Sequence, residues 1–174
     1  MQRCLPVYGF ITILLCCIAT GITAQTNSDT LRGNIVSKVI SDGKKYVGKP
    51  YRYHAEGHTL DCSGFVSLIY AKNGISLSAS CKKLAGEVQR IGMNMVEAGD
   101  LLFFRGRRTS SVGHVIMVIG KEGKDLLVMH SCHRGIIIEK YSLSFYLKRF
   151  LFAGRVPQLE TGKETEDNKP ARTL

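Results

Sequence analysis

A chain of 174 residues, 44% hydrophobic and 22% charged, has the dimensions of one domain around a single core and too much apolar content for a wholly disordered protein. Its 24 Lys and Arg against 14 Asp and Glu give a formal net charge of +10, which suits anionic partners, although the basic residues are scattered and describe a merely solvated surface equally well.

Residues 1–24, MQRCLPVYGFITILLCCIATGITA, carry Arg3, an apolar run from about Phe10 to Ile18, and the small Ala24 ahead of Gln25. This is the layout of a secretory signal peptide whose apolar core is too short to span a bilayer. Neither Cys16 nor Cys17 follows the small residue that a lipoprotein signal needs, so no lipid anchor and no lasting membrane insertion are expected. Loss of Arg3 with the leader leaves 23 basic against 14 acidic residues, net +9, on a mature chain of 150 residues. Secreted or periplasmic, it is expected to be a monomer that meets anionic envelope polymers or lipid head groups rather than nucleic acid. Three cysteines remain, Cys62, Cys81 and Cys132. Three is an odd number, so at least one thiol stands outside any intramolecular disulfide.

A linker at 25–30 is expected to lead into a helix that places Leu31, Ile35, Val39 and Ile40 at helical spacing, with Gly43 and Gly48 as terminators. PYRYHAEGHTL, 50–60, reads as a loop. From Cys62 to about Lys72, Phe65, Leu68, Ile69 and Ala71 fit a buried helix closed by Asn73-Gly74. CKKLAGEVQRIG, 81–92, reads as a third, shorter helix. Then come short apolar or β-branched runs at 100–104, 113–120, 126–131, 135–141 and 150–156, each bounded by turn residues. The domain is expected to end at 156, and the polar stretch 157–174 to be disordered. Helices followed by strands indicate an α+β domain with a mainly antiparallel sheet.

The hairpin GHVIMVIGKEGKDLLVMHS reads as turning at Lys121-Glu122-Gly123, a three-residue loop ending in glycine. Symmetric pairing about Glu122 sets Gly120 opposite Lys124 and His114 opposite His130, with both imidazoles on the face that carries Ile116, Val118, Leu126 and Val128. Directly opposed residues have β-carbons about 4.5–5.5 Å apart. One histidine on such a strip is commonly structural, whereas a facing pair suggests chemistry.

Cys62 stands at the start of a helix, between Asp61 and Ser63-Gly64. Unpaired backbone N–H groups and the helix dipole there favour the thiolate, which is the nucleophilic form. A nearby imidazole, His114, can take the thiol proton, and His130 can orient it, the part that Asp or Asn plays in related triads. The alternative for Cys62 is a small buried hydrophobe.

With these residues in place, the sequence resembles the NlpC family of papain-like cysteine endopeptidases, which cut the peptide stems of bacterial cell walls. The matching motifs are GKPYRY (48–53), DCSGFV (61–66), AGDLLFF (98–104), GHV (113–115) and MHSCHRGI (129–136), in the family's order over 31–156. The resemblance implies a papain-like fold with N-terminal helices packed on the sheet. It also implies Cys62 as nucleophile, His114 as general base and acid, His130 as the orienting residue, and no cofactor or metal. The implied reaction cleaves a D-glutamyl bond to diaminopimelate or lysine, in wall stem peptides or released muropeptides, through a thioester. Tyr51, Tyr53, Asp61 and Ser63 match positions that contact substrate or support the site, although the tyrosines can equally be core aromatics and Asp61 and Ser63 helix caps. His54-Ala55 replaces the family's usual paired glycines and Ile116 another glycine, which bears on the substrate groove. With no wall-binding domain read here, targeting is expected to rest on the domain, its charge or a partner.

Three other readings remain open at this level. Cys62, His114, His130, Cys132 and His133 are zinc ligands by type but lack a compact ligand pair. Related papain-like hydrolases act as wall amidases or lipid acyltransferases. A non-catalytic wall-binding module is the third. Cys81 and Cys132 are expected to be reduced or bridged to each other, with Cys62 free.

Overall fold

The computed structural model describes residues 19–107, 109–141 and 148–161, with side chains from residue 30 to residue 159 of these. Most of the expected signal peptide (1–18) and most of the expected tail (162–174) lie outside the described residues.

Helix α1, Ala19–Lys44, includes the 25–30 stretch expected as a linker. Val36 and Val39 are buried and Ile35 and Ile40 partly so, whereas Leu31, placed on the same face by the sequence, is 45% exposed. The segment expected as a loop is a hairpin, β1 Tyr53–Ala55 with β2 His58–Leu60. Its turn takes Glu56 and Gly57 through positive φ. Helix α2, Cys62–Ala71, follows at once, and every residue from Cys62 to Tyr70 is buried. A helix apolar all round has no face to offer solvent and becomes the centre of the domain. The 81–92 segment is divided: α3, Cys81–Leu84, is one turn, and Gln89–Ile91 forms strand β3. Gly86 and the β-branched Val88 after that turn explain why the longer helix expected there does not form.

Strands β4 Leu101–Arg105, β5 Val112–Glu122, β6 Asp125–Cys132, β7 Gly135–Tyr141 and β8 Phe150–Arg155 join β3 in a six-stranded sheet of order β3-β8-β4-β5-β6-β7. Every pairing is antiparallel, so the expected α+β architecture holds. Leu101, Phe103, Val115, Met117 and Met129 face α1 and α2, and Leu102, Phe104, Ile116, Val118 and Val128 form a second core on the other side. Each such side chain contributes about 1.5–3 kcal/mol on burial.

Past β8, α4, Gln158–Thr161, buries Leu159 against the α1 side of the core, so residues 157–161 do not begin a disordered tail. Asp100 fastens the same corner. It is fully buried, and its carboxylate accepts from Arg155 at 2.9 Å and from Arg32 at 3.3 Å, tying α1 and β8 to the loop before β4. Among the described residues no helix is long and apolar enough to cross a membrane.

Candidate active site

Asp61 decides where α2 begins. Its backbone is extended, and its Oδ1 accepts from the Ser63 N–H at 3.1 Å and the Gly64 N–H at 2.8 Å. These donors have no partner within the helix, so the cap satisfies them and leaves the Cys62 side chain and N–H at the helix mouth. Gly64 is needed because any β-carbon there would run into the Thr59 carbonyl oxygen at the end of the β1–β2 hairpin. The Ser63 hydroxyl donates to the Ala79 carbonyl at 2.7 Å, which draws the segment entering α3 against the first turn of α2. Cys81, the first residue of α3, thereby meets Cys62.

The Cys62 thiol is buried, yet its pKa falls to about 4. A hydrogen bond from the Cys81 thiol is the largest cause, followed by one from His114, the charge of that imidazole and the Val115 N–H, against the opposing effect of burial. The cost appears on Cys81, whose own ionisation is pushed far upward because its proton is held by the neighbouring sulfur. All three cysteines are free, and the Cys81–Cys132 bridge admitted by the sequence is not formed: Cys81 sits at Cys62 while Cys132 lines the cleft beside the two histidines.

His114 and His130 do share a face, but not as direct partners. The hairpin turns at Gly123-Lys124, since Glu122 pairs with Asp125, and Ile119 is an extra residue between the Val118–Val128 and Gly120–Leu127 pairs. Met117 then pairs with Met129, so continuing that register puts His130 opposite Ile116 and makes His114 its diagonal neighbour. The imidazoles meet nonetheless: His114 Nε2 is 3.1 Å from His130 Nδ1, with ring planes 72° apart. His130 Nε2 is in turn 2.9 Å from Glu139 Oε1 on β7, and Arg134 donates to the other oxygen of that carboxylate at 2.6 Å.

This chain sets the tautomers. Glu139 is acceptor-only when ionised, so His130 Nε2 carries the hydrogen and its Nδ1 accepts from His114 Nε2–H, which leaves His114 Nδ1 for the sulfur. His130 supports this by staying neutral: burial lowers its pKa, opposed by Glu139. Glu139 was not singled out in the sequence. Its only signal there is its place as the acid of GIIIEKY, and the β6–β7 register that brings it to His130 is not written in that motif.

The other residues from the motifs divide. Tyr51 is 41% exposed and lines a cleft of about 800 Å³ together with Phe104, His114, His130 and Cys132. Burial and the neighbouring Cys62 charge raise its phenol pKa. It is held there by the strand-like bonds Gly48 N–H to Ile136 O and Ile136 N–H to Lys49 O, both 2.9 Å. Gly135, at φ +98, permits this approach because a β-carbon would strike the Lys49 carbonyl. Tyr53 is 37% exposed beneath the Lys49 ammonium and is not among the residues lining the cleft. Asp61 and Ser63 build the helix start. His133 joins the cleft wall. Of the residues weighed as zinc ligands, Cys62, His114 and His130 form a hydrogen-bonded series that ends on Glu139, while Cys132 and His133 line the cleft.

Residues 48–155 match the model of the NlpC/P60 family. The chain is 34% identical over 101 residues to the probable endopeptidase p60 of Listeria grayi, covering 56% of this chain and 19% of that protein. It is 28% identical over 128 residues to the peptidoglycan DL-endopeptidase CwlO of Bacillus licheniformis, covering 68% of this chain and 27% of that one. A crystal structure of an NlpC/P60 family protein from Bacillus cereus superposes with a TM-score of 0.58 at 28% identity, covering 70% of this chain and 40% of the other. The chain thus spans only about a fifth of the length of the first of these relatives.

Proposed function

From the premise that the chain belongs to the NlpC/P60 family, we propose that it is a secreted cysteine endopeptidase of peptidoglycan stem peptides, with Cys62 as nucleophile, His114 as general base and acid, and His130 as its orienting residue. The observation that carries this reading is the geometry: Cys62 opens a buried helix beside His114, whose Nε2 lies 3.1 Å from His130 Nδ1, and the lowering of the Cys62 pKa to about 4 by its hydrogen-bond partners agrees with it.

The reaction follows from those groups. The Cys62 thiolate attacks the γ-carbonyl of the D-glutamyl residue, and the oxyanion is met by the Cys62 N–H at the helix mouth. The imidazolium of His114 gives its proton to the departing amine of diaminopimelate or lysine, and the C–N bond breaks to leave a thioester. His114, neutral again, takes a proton from water as that water attacks the thioester. The second collapse releases the glutamyl acid and restores the thiolate–imidazolium pair. His130 and Glu139 hold the imidazole in register throughout. Tyr51 stands at the rim where the stem enters, while Tyr53 is not among the described residues that line the cleft. No step calls for a cofactor. Secretion rests on the leader read at 1–24, and the basic surface suits the anionic wall.

The test is incubation of the protein with defined stem peptides and identification of the products by mass. Cleavage at the D-glutamyl bond, abolished by Cys62→Ala in a folded protein, is the expected result. Release at another amide favours the amidase reading, and wall binding without any product favours a non-catalytic module.

A further inference from the structure

Cys81 touches the nucleophile but takes no part in the proposed reaction. Two hydroxyls of α2 bring it there: Ser67 donates to the Leu77 carbonyl and Ser63 to the Ala79 carbonyl, both at 2.7 Å. Going back from Ser67 to Ser63 descends about 6 Å of helix, and an extended run from Leu77 to Ala79 covers about 7 Å, so the chain passes beside α2 toward its start. Ser80 is extended as well. Cys81 therefore arrives at the mouth of α2, and its thiol donates a hydrogen bond to the Cys62 sulfur.

The two thiols differ in how firmly they are held. Asp61 fixes the first turn of α2, and every residue from Cys62 to Tyr70 is buried. By contrast α3 is a single turn, only its Leu84 is buried, and the Ser80 side chain caps none of its N–H groups. A disulfide needs β-carbons about 3.5–4.5 Å apart, and sulfurs that already share a hydrogen bond reach that geometry through a small movement of this one turn. Cys81 is partly exposed, which gives a small oxidant access to the pair. Cys132, beside Arg134, lines the cleft on the far side of His114 and is no competitor. The hydrogen bond to Cys62, then burial, then the Cys62 charge push the ionisation of Cys81 far upward. Oxidation of Cys62 removes the first and the last of these, and Cys81 is then free to attack.

We propose that Cys62 and Cys81 are a redox pair: hydrogen peroxide converts Cys62 to a sulfenic acid, and Cys81 resolves it to a Cys62–Cys81 disulfide that silences the nucleophile until a thiol reductant restores it. The Cys62 thiolate attacks one peroxide oxygen, the O–O bond breaks, and the departing hydroxide takes the proton of the His114 imidazolium and leaves as water. The Cys81 sulfur then attacks the sulfenic sulfur, the S–O bond breaks, and the second hydroxide leaves as water with the Cys81 proton. Each sulfur gives up one electron, and the peroxide is reduced to water. The disulfide shields Cys62 from the sulfinic acid that a thiol reductant does not reverse. The bond rests on the thiol pair, and only its effect on activity rests on the peptidase reading above.

The test exposes the reduced protein briefly to hydrogen peroxide, alkylates the remaining thiols and maps a tryptic digest by mass. Cleavage after Arg52, Lys72 and Lys82 puts Cys62 and Cys81 on separate peptides. The expected result is a linked pair of these peptides, two hydrogens lighter than their sum and separated by dithiothreitol, with stem-peptide cleavage lost as the link forms and regained on reduction. Cys132→Ser forms the same link. Cys81→Ser at the same dose accumulates Cys62 sulfinic acid, and dithiothreitol does not restore its activity. A parent protein whose Cys62 appears as sulfinic acid at the dose that consumes its thiol, or is linked to Cys132, overturns the pair, as does full recovery of peroxide-treated Cys81→Ser. If the reduced protein cleaves no stem peptide and the link still forms, the redox pair stands and the peptidase reading falls.

Discussion

His114 Nε2 lies 3.1 Å from His130 Nδ1 although the β5–β6 register, continued from Met117 and Met129, makes the two residues diagonal neighbours rather than partners. The single extra residue Ile119 makes this contact possible. From the turn to Gly120 the strands pair so that an unbroken register would send the two histidines to opposite faces of the sheet, and one inserted residue reverses the alternation. A diagonal pair lies farther apart than a direct one, which suits rings that reach toward each other. Glu139 continues the same slant, since it pairs with Val128 while His130 pairs with Ile137.

Glu139→Gln is expected to cut kcat/KM by about a hundredfold or more with the fold intact. Arg134 needs an acceptor and takes the amide oxygen, so the amide NH₂ turns to His130 Nε2. His130 then carries its hydrogen on Nδ1, His114 must accept at Nε2, and its Nδ1 is no longer a base for the thiol. Steady-state kinetics with circular dichroism check both halves, and an activity loss below about threefold contradicts the relay.

Alkylation of Cys62 by iodoacetamide, followed against pH, is expected to show a midpoint near 4. The sign follows from the depressed pKa: the reactive thiolate is present above about 4 and is lost as pH falls through that value. Cys81→Ala removes the largest cause of the depression, so its midpoint moves upward. A midpoint in the ordinary thiol range for the parent protein rules out the activated nucleophile.

Gly64→Ala is expected to lower stability by about 1–3 kcal/mol, read as a lower Tm, because the new methyl group collides with the Thr59 carbonyl and one of the two must move. Peptide cleavage drops with it, since the displaced turn carries Cys62. An unchanged Tm contradicts the close approach.

Asp100→Asn is expected to cost about 1.5–3 kcal/mol in chemical denaturation. The substitution takes the buried carboxylate from Arg32 and Arg155, 16% and 13% exposed, and leaves them only the exposed Glu97, at 2.7 and 3.2 Å. The effect belongs to stability alone, so a folded variant retains its alkylation midpoint at Cys62.

Much of the site was legible because its chemistry is local. Asp61 caps α2 through two backbone donors within three residues, Gly64 answers a contact with the hairpin just before it, and Cys62 takes its place from the cap. Apolar runs marked strands β4 to β8 for the same reason, since alternation is recorded residue by residue. Short pieces fared worse: β1, β2 and β3 have three residues each and depend on their partners rather than on their own pattern. Leu159 reads as part of a polar tail because one apolar residue has no periodicity, and the α1 side of the core is what buries it.

The amino-acid sequence alone determined which thiol begins a buried helix, that two histidines flank one hairpin, and that helices precede an antiparallel sheet, all consequences of contacts spanning a few residues. The tertiary structure alone decided which groups complete the site: Cys81 as hydrogen-bond donor to the thiol, and Glu139 at the end of the imidazole series. These depend on strand register and on segments brought together from far apart in the chain. One residue inserted at 119 changes the register of a whole hairpin while barely altering the local pattern, so its effect is visible only where the strands meet.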